Sequence, residues 1–207
     1  VEESFDKVLI ERNQKRNGPI FSINEEWNVV INDDEGKGIH FEVYNKRNWL
    51  SEENLQLTLK ANSLLKNFFS GKLDIEDVFD LDKWALFMAV SDLNYYSHGL
   101  KIKSVKFYYN PLSGKFEPVP FDGHRTVVDY SENIINWKKN KDFGSSSPSF
   151  SLAIECKKEI NNCANLLLYQ FFFKRDGKLN ENFFNKYKEN IHKITSKKFL
   201  DNFFLKK

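Results

Sequence analysis

Two carboxylates, Asp92 and Asp122, bracket the stretch from Val90 to Arg125, where residue types and spacing best suit chemistry. Asp92 falls in the last turns of an apolar segment that reads as a helix. Asp122 lies just past a segment with hairpin spacing: a strand over Lys103–Tyr109, a turn over Asn110–Gly114 and a return strand over Lys115–Phe121. Two acids separated by a rigid hairpin suit a phosphate carried on a divalent cation. One orients a nucleophile or takes its proton, and the other holds Mg²⁺. Each also has a plain reading, Asp92 as a solvent-facing residue and Asp122-Gly123 as an ordinary turn. A carboxylate at a helix C-terminus opposes the helix dipole, and residues that break a local rule are candidates for function.

The elements that must position these acids can be read from periodicity. Val1–Lys15 reads as a helix with Phe5, Val8, Leu9 and Arg12 on one face, stopped by Asn17-Gly18-Pro19. Short strands follow over Pro19–Ile23, Trp27–Ile31 and Gly38–Tyr44, where His40 points away from the apolar side. A long helix runs from Ser51 to Phe69, with Leu55, Leu59, Asn62, Leu65 and Phe69 as its expected buried face. The helix carrying Asp92 begins at Asp80 or Asp82 and ends near Tyr96. Its apolar residues, Trp84, Phe87, Met88 and Leu93, mark it as central. Pro118 and Pro120 mark a sheet edge or strand end. Asp142–Ser149 reads as a polar loop, and its Asp-Phe-Gly triplet lacks the preceding apolar strand of a kinase motif. Helices over Glu159–Lys174, Asn182–Lys193 and Ser196–Phe204 complete the set, with Tyr187, Ile191 and Ile194 at core spacing.

Composition bounds the function classes. The 207 residues carry a net charge of +2, which supplies no field for nucleic acid, and 41% hydrophobic residues, ample for a core. No apolar run is long enough to span a bilayer. Cys156 and Cys163, placed on one helix, would sit too far apart to bond, so two free thiols are expected unless Asn161-Asn162 turns. The chain begins at Val1 without an initiator Met, as expected of a fragment or processed chain.

The block Phe79–Leu93, then Ser97-His98-Gly99-Leu100, then Val105-Lys-Phe-Tyr-Tyr-Asn-Pro111, then Gly114–Asp122 resembles the CotH kinase family, atypical protein-kinase-like proteins first associated with bacterial spore coats. The resemblance covers roughly the first two-thirds of the chain. It implies an α+β, protein-kinase-like fold: a small β-rich part within residues 1–50, then a mainly helical lobe over 51–207 carrying the functional hairpin. It implies one incomplete domain whose nucleotide-anchoring part lies upstream. It further implies ATP with Mg²⁺ or Mn²⁺ as cofactors, Ser or Thr of a surface or coat protein as substrate, and a secreted or cell-surface location.

By the same resemblance Asp92 orients or deprotonates the substrate hydroxyl, and Asp122 binds the metal. His98 orients Asp92, contacts phosphate or is structural. Ser104 stands where many relatives carry a metal-binding Asn, and Asn94 is a substitute ligand. Glu11 would pair with an upstream nucleotide-anchoring Lys. Two competing readings remain: a pseudokinase scaffold, favoured by Ser104, and a carbohydrate- or surface-binding module using Trp27, Trp49 and Trp137 as stacking platforms.

Overall fold

The computed structural model describes residues 7–23, 40–94, 96–102, 104–121, 147–157 and 166–204. Over these the chain is α+β, with one four-stranded antiparallel sheet and a mostly helical remainder. It divides into two compact units of interleaved sequence. One comprises Val1–Asp80 with Lys103–Phe121, the other Leu81–Ile102 with Asp122–Lys207.

In the first unit α1 (Lys7–Arg12) leads into β1 (Ile20–Ile23). Then come β2 (Phe41–Val43), α2 (Lys46–Trp49), α3 (Glu52–Phe69) and α4 (Ile75–Val78). The hairpin β3 (Lys106–Asn110) and β4 (Lys115–Val119) turns through Gly114 at φ 70, a left-handed conformation that glycine adopts without strain. The sheet order is β2-β1-β3-β4, so the hairpin joins the early strands and does not belong to the helical part. Pro118 sits on the edge strand, where a missing N–H costs no ladder bond.

Both faces of β3 are covered. Phe107 and Tyr109 face an aromatic core with Phe116, Phe79 and Phe68, the last two with ring centroids 4.8 Å apart. Tyr108 faces the other way and packs with Ile10 and Ile20. This makes Ile10, and not the 54% exposed Val8, the anchor of α1. The buried face of α3 is likewise turned from the expected one. Thr58, Ala61, Leu65 and Phe68 are buried, and Leu59 is 50% exposed. The Thr58 hydroxyl donates to the Trp49 carbonyl at 2.7 Å, which fixes the rotation of the helix against α2.

In the second unit α5 (Leu81–Leu93) is followed by a 3₁₀ turn over Ser97–Leu100. Then come α6 (Pro148–Cys156), α7 (Leu166–Phe172), α8 (Glu181–Ile194) and α9 (Lys197–Phe204). Trp84 packs on Phe171 at 4.8 Å, Phe171 on Phe183 at 4.9 Å, and Phe172 on Tyr187 at 5.3 Å. Phe183, Tyr187 and Ile191 form the buried stripe of α8; the spacing predicts Tyr187 and Ile191, whereas Ile194, expected with them, is half-buried and Phe183 takes its place.

Helix α6 starts inside the segment expected to be loop. Ser147 caps it, accepting from the Phe150 N–H, and Pro148 takes the first helical position. Cys156 ends this helix and is disulfide-bonded, which corrects the expectation of free thiols. Spacing along one continuous helix does not apply, because α6 stops there. Cys163 lies outside the described residues, as do the Asp-Phe-Gly triplet, Trp27, Trp137 and Asp122.

Candidate functional site

Asp92 lies one residue from the end of α5 and is 1% exposed. The solvent-facing reading of this acid is therefore wrong, and the dipole conflict has a visible resolution. The carboxylate leaves an unfavourable helix C-terminus and enters the N-terminus of α6, where free N–H groups favour negative charge. The Ser149 N–H faces both oxygens, at 3.1 Å from Oδ1 and 3.3 Å from Oδ2. The Ser149 hydroxyl donates to Oδ1 at 2.5 Å, and the Ser147 hydroxyl to Oδ2 at 2.9 Å. Tyr187 of α8 donates its phenol to Oδ2 at 2.5 Å.

Burial dominates the energetics of this cluster. Desolvation pushes the Asp92 carboxyl up to about 6, although the bonds from Ser149, Tyr187 and Ser147 all favour the anion. Burial, and then the charge of Asp92, push the Tyr187 phenol well above its ordinary value. A carboxyl poised there can exchange a proton near neutrality. Both of its oxygens are already engaged, however, and a substrate hydroxyl could reach them only by displacing a protein hydroxyl. What this geometry does is join α5, α6 and α8 at one point.

The other expected site residues lie apart from this cluster. His98 is half-buried on the 3₁₀ turn and is not among the groups bonded to Asp92. Asn94 is exposed, and its amide N–H donates to the Val90 carbonyl at 2.8 Å. Ser104 is buried just ahead of β3, in the other unit. Glu11 is exposed and pairs with Lys7 at 3.4 Å within its own helix. Trp49 is buried. Among the described residues no group of three His, Cys, Asp or Glu side chains could hold a metal ion. None of the described helices is long and apolar enough to cross a membrane.

Two charged groups in the first unit escaped the sequence reading. Glu117 is fully buried on β4, accepts from Asn110 Nδ2 at 2.8 Å and is paired with the Lys15 ammonium. Lys106 is 5% exposed on β3, its ammonium 4.8 Å from the centroid of the Phe121 ring and 5.8 Å from that of Tyr44. A lysine at the head of an aromatic strand breaks the pattern of Val105-Lys-Phe-Tyr-Tyr, and that was the available signal. Ser147-Pro148 carries the residue types of a helix start, which would have flagged the cage around Asp92.

No protein-family model matches the chain, and no curated protein sequence matches it significantly.

Proposed function

We propose that this chain is the helical, hairpin-bearing part of a CotH-type, protein-kinase-like protein that moves the γ-phosphoryl group of ATP to a Ser or Thr hydroxyl of a surface or coat protein. The observation that carries the reading is Lys106. A buried ammonium rests on the ring of Phe121, the residue immediately before Asp122. A phosphoryl-transfer site needs a cation beside its metal-binding acid. Asp122 would hold Mg²⁺ or Mn²⁺, and the ion would neutralise phosphate charge there. Asp92 is a positioning residue in this scheme. Its loss as a general base is tolerable because a loose phosphoryl transition state asks mainly for orientation and charge stabilisation. The disulfide at Cys156 suits an oxidising compartment, which supports a secreted or cell-surface location.

One observation favours the scaffold alternative. The saturation of Asp92 by protein hydroxyls is what a non-catalytic relative would retain for stability. Calorimetry of ATP binding to the whole chain, with and without Mg²⁺, separates the two. The kinase reading expects metal-dependent binding, lost in Asp122→Ala, weakened roughly tenfold or more in Lys106→Met and unchanged in Asp92→Asn. A folded wild-type protein that binds no ATP would leave the scaffold reading standing.

A further inference from the structure

The first unit contains a cavity of about 210 Å³ between α1, the start of β1 and α2. Ile10, Ile20 and Trp49 supply its apolar lining, and all three are buried. Three primary amides, those of Asn17, Asn45 and Asn48, also line it. Among the described residues none hydrogen-bonds these side-chain amides.

We propose that this cavity binds one neutral, hydroxyl-rich ring, a monosaccharide unit. Each amide offers two donors and an acceptor, matching hydroxyls that both donate and accept. Among the described residues no carboxylate lines the cavity, and the one cation that does, Lys7, is held 3.4 Å from Glu11, so these groups exert little pull on an anion. The volume falls below the roughly 300–1,000 Å³ of pockets for larger ligands, which suits a single ring.

The frame behind the amides is fixed before any ligand arrives. Gly18 sits so close to the Tyr109 carbonyl that no side chain fits there. The Asn48 carbonyl accepts from the Ser51 hydroxyl at 2.7 Å and from Asn54 Nδ2 at 3.2 Å. Such preorganisation lowers the entropic cost of binding. The proposal is independent of the phosphoryl-transfer reading, since it draws on none of those residues.

The test is nitrogen-detected NMR of the whole chain, following the side-chain amides of Asn17, Asn45 and Asn48. Glucose, galactose and N-acetylglucosamine are added in turn, with inorganic phosphate as the contrast. At least one sugar is expected to shift all three amides saturably, with a Kd on the order of millimolar. Asn17→Ala, an exposed position where the fold survives, should weaken that sugar about fivefold. Asn48→Asp should keep it, because a carboxylate still accepts from hydroxyls while repelling phosphate. Shifts caused by phosphate alone, no saturable shift with any of the sugars, or sugar shifts indifferent to Asn17→Ala would each overturn the proposal.

Discussion

The Tyr187 phenol lies 2.5 Å from Asp92 Oδ2 and 2.6 Å from Ser147 Oγ, and Ser147 is itself 2.9 Å from the same carboxylate oxygen. Three oxygens thus form a closed triangle. With Asp92 ionised, the two hydroxyl protons serve three edges. A proton on the carboxyl supplies the third and offsets part of the preference of its donors for the anion. The cluster is therefore suited to holding a proton out of contact with water.

The pH dependence of stability follows from this. The native state raises the Asp92 pKa from 3.8 to about 6, so it binds the proton more tightly than the unfolded chain does. The stabilising contribution is complete below about pH 4, falls as pH rises through about 6, and is gone above that, about 3 kcal/mol in all. Asp92→Asn should remove this slope, while Asp92→Ala should destabilise by about 3 kcal/mol at neutral pH by stranding buried donors. Urea unfolding across that pH range checks both, and a wild-type slope that survives in Asp92→Asn would assign it to another group.

Tyr187→Phe keeps the ring contact with Phe172 and deletes one donor to Asp92. A cost of about 2 kcal/mol is expected at pH 7, as for a bond to a charged group. Because the Tyr187 bond lowers the Asp92 pKa, its loss should raise that pKa further. Carbon-detected NMR titration of the carboxyl reads the direction, and a downward movement would contradict the assignment.

The Lys15–Glu117 pair supports a different expectation. Glu117 is completely buried while Lys15 remains 29% exposed, so the carboxylate carries most of the desolvation burden. Lys15→Met should destabilise by about 3 kcal/mol, since it takes the ammonium away from a fully buried carboxylate. Lys15→Met with Glu117→Gln should recover part of this, as the double variant no longer buries a carboxylate without its ammonium. A double variant no more stable than the single, by chemical denaturation, would refute this account.

Gly18→Ala should be among the most damaging small substitutions in the chain. An added Cβ would run into the Tyr109 carbonyl and lie 3.0 Å from both Pro111 Cδ and the Tyr108 ring. A loss of about 2 kcal/mol or more is expected. The thermal midpoint measures it, and a wild-type midpoint would show that the loop 13–19 yields easily.

Local patterns proved legible and long-range ones did not. The hairpin was readable because Asn110-Pro111 and Gly114 punctuate two aromatic runs, and most of the stripe on α8 because Tyr187 and Ile191 lie four residues apart, though it continues to Phe183 and not to Ile194. The face of α3 was misread because short residues, Thr58 and Ala61, make its contact, and hydropathy gives them little weight. The partners of Asp92 lie 55 to 95 residues away in sequence, and nothing local announces them. The same holds for Glu117, whose cation is 102 residues distant.

The interleaving of the two units also constrains how the protein is made. β1 finds its inner neighbour only in β3, and Tyr108 reaches back 92 residues to the Arg16 carbonyl. Leu81–Ile102, which lies between them in sequence, belongs to the other unit. During synthesis β1 and β2 can pair early, but the inner edge of β1 must wait until β3 has emerged. The entropic cost of closing so long a loop comes before the contacts that offset it, so folding should be slow for this size, and the half-made chain should need protection from aggregation.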